Sequence, residues 1–436
     1  MIFTKATVIA LFALSWLSSR PARSPIMISD FFVLALLTLV LPYFFFNSSA
    51  HSNWNDIKFA PEVVTQADFG LLIVFATGAV ILQLKRQFSS LPPAERIDLG
   101  SDFELKIAFA AAMFSILTFA AFMLFEEFRD FRWITMRFLA GDLGGREYRV
   151  LRGVTFSNTL LLDGILGRLR YAIFPILFML IAAPLIRKKR WTSIVCYTVL
   201  FFLALPMSLS KLPIVYYIGY TVLAFLLFAL KRMKLIYLCA LLIVGLSVTI
   251  FLIAVLYTLQ YRETYQYGLE APLLLAVERV WGETYSIILR YFAVYPGMEP
   301  YTGFSGINLI AKIMGLMPRN PDIEVARSIL GEDSGSNPGL FFLGGYAAFG
   351  YWGLVIFTIF GFGIVWLVDE VGNRLRTDLM FAVYFPVMAM NCLFLLQLAL
   401  QTAMLTYGVA VVPIIVLGVD RLLSLRPVKT KFEVAV

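Results

Sequence analysis

Long uninterrupted apolar runs are the feature that most constrains this chain of 436 residues. A helix that crosses a membrane needs about 20 consecutive apolar residues, because the hydrocarbon core is about 30 Å thick. Runs of roughly this length predict spans near residues 3–18, 28–46, 67–84, 104–126, 170–186, 192–208, 212–230, 235–258, 343–368, 379–396 and 403–420. The sequence therefore predicts an all-α polytopic integral membrane protein, a single membrane domain over residues 1–436 with about 11 (10–12) transmembrane helices.

Composition supports the same class, since 60% of the residues are hydrophobic and only 15% are charged. Soluble domains are nearer half apolar and a quarter charged. The net charge of +8 is largely explained by anchoring residues on cytoplasmic loops, so we expect no nucleic-acid partner. Residues 1–19 resemble a signal peptide, but they lack a cleavage site of the A-x-A kind, and we interpret them as a membrane helix.

Basic short loops fix the predicted orientation. They are RPAR (20–23), RKKR (187–190), KRMK (231–234), NRLR (373–376) and the tail RLLSLRPVKTK (421–431). All of them fall on one face if the spans alternate, and that face should be cytoplasmic. Two long segments, 127–169 and 259–342, then lie on the opposite face, where loops of this length are usually functional.

The sequence gives little support for a metal site or for a catalytic triad. The three cysteines all lie in apolar runs, and His51 is the single histidine. These residues provide neither zinc-ligand spacing nor a Ser-His-Asp triad, so we predict no metal and no cofactor.

The first long segment is basic through arginine alone: residues 129–153 hold six arginines and no lysine. Arg146, Arg149 and Arg152 recur every third residue and would form a stripe on a helix. Arginine presents a planar fork that matches phosphate oxygens, so the stripe indicates a phosphate or diphosphate cradle. An interfacial helix whose arginines meet lipid headgroups explains it equally well.

The second long segment mixes arginines, carboxylates and aromatic residues. Aromatic faces and carboxylate acceptors are what a sugar site requires, and the candidates are Trp281, Tyr285 and Tyr291. Arg279, Arg290, Arg319 and Arg327 are the candidate diphosphate ligands here, and Lys211, in a short outer turn, is a further one. Ordinary salt bridges in the loop, and snorkelling of Lys211, are the alternative explanations.

These features resemble the Wzy-type O-antigen or oligosaccharide repeat-unit polymerases. The resemblance lies in the arginine-rich first segment leading into NTLLLDGILGRLRYAIFPILF (158–178), in SLSKLP (208–213) and in GSNPGLFFLGGYAAFGYWG (335–353). The family is associated with an arginine and a glycine separated by ten residues in both loops. Here eleven residues separate Arg152 from Gly164 and Arg319 from Gly331. The related O-antigen ligases are thought to use a loop histidine, which both long segments lack.

The resemblance implies a substrate, a location and a mechanism. The substrate would be an undecaprenyl-diphosphate-linked oligosaccharide, polymerised at the periplasmic face of a bacterial inner membrane. Further expected partners are membrane lipid, a chain-length regulator and a flippase. Arginines would stabilise the leaving diphosphate, and a carboxylate, Glu283, Asp322 or Asp163, would take the proton of the acceptor hydroxyl. A lipid-linked-sugar transporter is the rival class, although such proteins usually carry charges inside their spans.

Overall fold

The computed structural model describes residues 2–19, 27–46, 59–88, 95–124, 172–204, 211–229, parts of 243–258, 270–277, 281–331, 339–405 except 399, and 407–425. Within these ranges the regular structure is helical, apart from one isolated β-bridge between Ile97 and Thr377. The predicted all-helical class is therefore confirmed for the described part of the chain.

The chain divides into two units. The first holds residues 1–90, 233–369 and 391–407, and the second holds residues 91–232, 370–390 and 408–436. The helices begin with α1 (Ile2–Ser19), α2 (Ile28–Phe46), α3 (Pro61–Phe88), α4 (Ser101–Met123), α5 (Phe174–Arg187), α6 (Trp191–Ala204) and α7 (Lys211–Ala229). They continue with α8 (Glu270–Val277), α9 (Glu283–Val294), α10 (Asn308–Ile313), α11 (Pro321–Leu330), α12 (Leu343–Arg374), α13 (Asp378–Cys392), α14 (Leu400–Leu405) and α15 (Val411–Ser424).

Three helical stretches are long and apolar enough to cross a membrane: Pro61–Phe88, Leu343–Arg374 and Asp378–Leu396. The last of these is α13 continued by a 3-10 turn, Leu393–Leu396. Shorter apolar helices cover Phe3–Ser19, Ile28–Pro42, Phe174–Arg187 and Tyr216–Leu227. The described residues thus support a membrane protein, with these helices as its candidate spans.

One predicted span is not continuous. The apolar run 403–420 is divided in the structure into α14 and α15, with non-helical backbone at residues 407–410 between them. Gly408 adopts a φ of 79°, a left-handed conformation that a helix cannot contain. Hydropathy alone misses such a break, because glycine does not interrupt an apolar run.

Aromatic side chains fill the core of the first unit. Phe12 of α1 packs edge-on against Phe75 of α3 and Phe362 of α12. Gly78 leaves room for this contact, since a Cβ there would lie 2.9 Å from both Phe12 and Phe362. The helices of the first unit therefore meet through large rings seated over a small residue.

Buried ion pairs join the ends of these helices. Lys5, near the start of α1, pairs with Asp68 near the start of α3 and donates to the carbonyl of Phe44 near the end of α2. At the other ends, Lys85 of α3 pairs with Asp369 of α12. Helices α1 and α3 therefore run in the same direction, and α2 runs opposite to both.

Helix α12 is kinked near its start. Phe349 and Gly350 leave the helical region of backbone conformation, and the φ of Gly350 is +62°. A Cβ on Gly350 would also lie 2.9 Å from the hydroxyl oxygen of Tyr301. Glycine is therefore required at this kink for both conformation and space.

The second unit is built around α5. Phe178 of α5 contacts the rings of Tyr197, Phe201 and Tyr217. Arg187, at the end of the same helix, donates a 2.7 Å hydrogen bond to Glu104 of α4. Elsewhere in this unit Asp420 accepts hydrogen bonds from the backbone N–H groups of Arg376 and Thr377. Thr377 in turn caps α13, because its hydroxyl oxygen accepts a hydrogen bond from the backbone N–H of Met380.

The second long segment of the sequence is largely helical where it is described. Residues 270–330 contain α8, α9, α10 and α11, and α9 packs against α2, α3 and α11. This segment is therefore a folded part of the first unit and positions the candidate site described next.

Candidate functional site

Helices α9 and α11 are joined by two tyrosine–carboxylate hydrogen bonds. Tyr291 and Tyr295 lie four residues apart, so both project from one face of α9 and the turn that follows it. Tyr291 donates to Asp322, and Tyr295 donates to Glu324 over 2.7 Å. Both acceptors lie in the first turn of α11, so the pairs fix the start of α11 against α9.

The sequence explains why α11 begins where it does. Asn320 caps the helix, and its side-chain oxygen accepts a hydrogen bond from the backbone N–H of Asp322. Pro321 follows at the first helical position, where its missing N–H is not needed. The negative charges of Asp322 and Glu324 in this first turn also interact favourably with the helix dipole, which stabilises the start of α11.

Asp322 lies in a confined environment. Burial raises the pKa of Asp322, while hydrogen bonds from Tyr291 and from the backbone of Gly339 lower it in part. Gly339 permits this approach, because a Cβ there would lie 2.9 Å from the Tyr291 ring. The result is a carboxyl group with an elevated pKa, which is the property expected of a general base that works near neutral pH.

Arg319 is held by two carboxylates. Its Nε donates to Glu324 over 2.8 Å and its Nη2 donates to the other oxygen of the same carboxylate over 2.7 Å. Glu299 accepts a third hydrogen bond over 3.3 Å. These hydrogen bonds with Glu324 raise the pKa of Arg319. Arg319 therefore stays charged and is oriented by a bidentate partner.

Arg290 is buried, with 1% of its side chain exposed. It donates a 3.1 Å hydrogen bond to Glu283, two turns earlier on α9, whose side chain is 31% exposed. A buried guanidinium is costly unless it is paired, and Glu283 supplies one such pairing within the helix.

Two further contacts anchor the start of α9. The hydroxyl of Tyr285 donates to Asp68 over 3.0 Å, and Asp68 is also the partner of Lys5. The indole N–H of Trp281 donates to the carbonyl of Thr38 over 3.0 Å. Helix α9 is thereby connected to α1, α2 and α3 through polar groups.

The predicted site residues are distributed unevenly over the described part of the chain. Glu283 with Arg290, Tyr291 with Asp322, and Arg319 come together on α9, on α11 and in the residues that connect them. Tyr285 and Tyr291 are buried, whereas Trp281 is only partly so. Arg327 is exposed on α11, and Lys211 begins α7 in the second unit.

Five predicted residues lie outside the described ranges: Asp163, Arg146, Arg149, Arg152 and Arg279. The predicted role of the first long segment therefore remains a prediction. Among the residues that the structure describes, no three histidine, cysteine or acidic side chains come together as a metal site.

Sequence reasoning missed several members of this cluster. Lys5 and Asp68 are single charges inside predicted spans, and Tyr295, Glu299 and Glu324 were not among the candidates. A signal was present for the first two, because an ionisable residue in a span is a functional or structural marker by default. Their pairing could not be read from the sequence, since 63 positions separate them.

The chain matches no protein-family model, no curated protein and no solved structure.

Proposed function

We propose that this chain is a membrane-embedded glycosyltransferase that joins undecaprenyl-diphosphate-linked oligosaccharide units into a surface polysaccharide. In this proposal the chain has about 11 spans and lies in a bacterial inner membrane, and residues 127–169 and 259–342 face the periplasm. The observation that carries the proposal is Asp322, a carboxyl group of raised pKa in the same folded segment as the oriented guanidinium of Arg319. The arginine-only basicity of the first segment supports it.

The proposed reaction is a displacement at the anomeric carbon of the growing glycan. The acceptor hydroxyl oxygen bonds to that carbon, and the bond from the carbon to the diphosphate oxygen breaks, with its electron pair leaving on the diphosphate. Asp322 takes the proton from the acceptor hydroxyl. Glu283 and Asp163 are the other candidate bases, but Glu283 already serves as the partner of Arg290.

The arginines have the task of stabilising charge. Negative charge develops on the diphosphate as the bond breaks, and oriented guanidinium groups would stabilise it in the transition state. Arg319 meets two carboxylates, Glu324 and Glu299, and retains 29% exposure. A diphosphate would replace Glu299, the more distant of the two, while Glu324 keeps the guanidinium oriented.

The decisive experiment uses the purified protein in vesicles that contain lipid-linked repeat units. A ladder of lengthening products supports the polymerase, whereas a single transfer to another acceptor supports a ligase. Replacement of Arg152, Arg279, Arg290 and Arg319 in turn by lysine and by alanine tests the diphosphate role. Unchanged product length in every variant, at normal expression, would show that no arginine cradle exists.

A lipid-linked-sugar transporter is the second candidate, because the structure contains charges within its helices. The pairs Lys5–Asp68 and Lys85–Asp369 are both buried. Transporters place such groups near the bilayer midplane, but these pairs join helix ends. The same vesicles separate the two functions, since movement of the substrate across the bilayer without joining identifies a transporter.

A further inference from the structure

An apolar patch is exposed on α10 and the turn after it. We define it as Leu309, Ile313, Met314, Leu316 and Met317, which are 56%, 77%, 54%, 42% and 88% exposed. Ala311 lies on the opposite face of α10 and is fully buried, so the helix is attached to the protein on that face while Leu309 and Ile313 are exposed. Protein surfaces in water rarely concentrate this many large apolar side chains, and such a patch marks an interaction site.

The segment that leads into the patch packs on the first turns of α12. The backbone N–H of Thr302 donates to the carbonyl of Ala347 over 2.9 Å, and the ring of Phe304 packs edge-on against Phe349 at 5.1 Å. The backbone of Arg319, just after the patch, donates to Ser305 over 2.9 Å. The chain just before the patch is thus connected to the start of a helix long and apolar enough to cross a membrane, and the chain just after the patch is tied back to Ser305 in that same connecting segment.

The position and the charge of the patch indicate what contacts it. The end of a membrane-spanning helix lies at the boundary between hydrocarbon and headgroups, where an apolar surface with a basic rim is stabilised. Lys312 is exposed on α10 within the patch, and its ammonium group suits the phosphates of lipid headgroups. Among the side chains of the neighbouring α11 whose exposure the structure describes, the exposed ones are Arg327 and Ser328, so the exposed apolar surface does not continue onto them.

We infer that the apolar patch inserts into the membrane interface beside the start of α12, with Lys312 at the headgroup phosphates. Its occupant is the bilayer itself, and the inference does not depend on the proposed reaction. The insertion fixes the depth of the segment that carries Arg319 and Asp322 relative to the lipid headgroups.

The test uses the unmodified protein in phosphatidylethanolamine and phosphatidylglycerol vesicles that contain a phospholipid with a photoactivatable acyl chain. Trypsin cleavage after Lys312, Arg319 and Arg327 yields two consecutive peptides, IMGLMPR (313–319) and NPDIEVAR (320–327). After irradiation, mass spectrometry should find lipid adducts on the first peptide and none on the second. The lipid-exposed face of α12, which includes Trp352, is the positive control.

A variant checks the contact without disturbing the core. In Ile313→Glu/Met317→Glu both changed side chains are largely exposed, so folding should persist. Adducts on residues 313–319 should disappear while those on α12 remain. Equal labelling of the two peptides in the unmodified protein, or no labelling of either while α12 is labelled, overturns the inference. The second result would mean that the patch faces water or is covered by protein.

Discussion

The hydroxyl of Tyr285 lies 3.0 Å from a carboxylate oxygen of Asp68, and this hydrogen bond links α9 to α3. The other oxygen of Asp68 meets Lys5 of α1. The candidate site on α9 and α11 is therefore supported by a buried charge pair between two apolar helices.

Tyr285→Phe should lower the stability of the protein. A hydrogen bond to a charged group contributes about 1.5–3 kcal/mol, and its loss leaves an oxygen of Asp68 buried with one partner fewer. Thermal unfolding in nanodiscs, followed by circular dichroism, should show a lower Tm. Tyr351→Phe is the control, because that hydroxyl is 3.5 Å from its acceptor and is exposed. Equal Tm values for the two variants would contradict the prediction.

The effects of substitutions at Lys5 and Asp68 on the free energy of unfolding should be coupled. Lys5→Met alone leaves a buried carboxylate without its counter-charge, and breaking such a pair costs about 3–5 kcal/mol. The double variant Lys5→Met/Asp68→Asn removes both charges and keeps an acceptor for Tyr285, so most of that loss should be recovered. Denaturant unfolding of the two variants measures the difference. A double variant as unstable as the single one would show that the pair is not coupled.

Under the proposed reaction, Asp322→Asn should lower the rate of polymerisation by about 10²–10⁴-fold, the usual contribution of a general base. The amide keeps the size of the side chain but cannot take a proton. Product ladders from purified protein measure the rate, with Ser328→Ala, exposed on the same helix, as the control. A ladder of normal rate and length from the asparagine variant would remove Asp322 from the mechanism.

The dependence of the reaction rate on pH should reflect the raised pKa of Asp322. A base must be ionised, so activity falls as pH falls through its pKa, and burial places that pKa above the ordinary value of about 3.9. The hydrogen bond from Tyr291 lowers the pKa, so Tyr291→Phe should shift the acidic limb of the rate profile to higher pH. Initial rates at a series of pH values provide the measurement. A limb that stays in place, or moves to lower pH, would argue against Asp322 as the titrating group.

Two glycines of α12 should respond oppositely to alanine. Gly350→Ala introduces a Cβ at a φ of +62° and close to Tyr301, so it should destabilise by more than about 1 kcal/mol. Gly363→Ala adds a Cβ that meets nothing within 4 Å in ordinary helix, so it should be neutral or stabilising by up to about 1 kcal/mol. In nanodiscs the Tm of Gly350→Ala should therefore lie below that of the unmodified protein, and the Tm of Gly363→Ala should equal or exceed it. A Gly350→Ala variant as stable as Gly363→Ala would show that the kink tolerates a side chain.

The sequence predicted the positions of the apolar helices well and their interruptions poorly. Runs 28–46 and 343–368 correspond to α2 and α12, because length and apolarity are what a buried helix requires. The break at Gly408 and the kink at Gly350 are set by backbone conformation, which an apolar pattern does not record. Helix α9 was also missed, because its buried face includes Tyr285, Arg290 and Tyr291, which interrupt any apolar periodicity.

The candidate site was predictable as a set of residue types but not as pairs. Arg319 and Tyr291 could be named from the residue types of the second segment, and Asp322 from the mechanism that the family resemblance implies. Which carboxylate neutralises which partner depends on how α9 and α11 pack, and no spacing rule connects Tyr291 to Asp322 across 31 positions. The role of Arg146, Arg149 and Arg152 remains a prediction, since they lie outside the described residues.

The kink at Gly350 divides α12 into a short portion before it and a long portion after it. The portion after Gly350 ends at Arg374 and is about 36 Å long at 1.5 Å per residue, which exceeds the hydrocarbon thickness of about 30 Å. This portion is long enough by itself to cross a bilayer, so the residues before the kink are not needed to span it. They are also the residues that hold the second segment, through Ala347 with Thr302 and Tyr346 with the backbone of Tyr295. One helix thus has two separable roles: the portion after the kink is long enough to cross the membrane, and the portion before it holds the second segment in place.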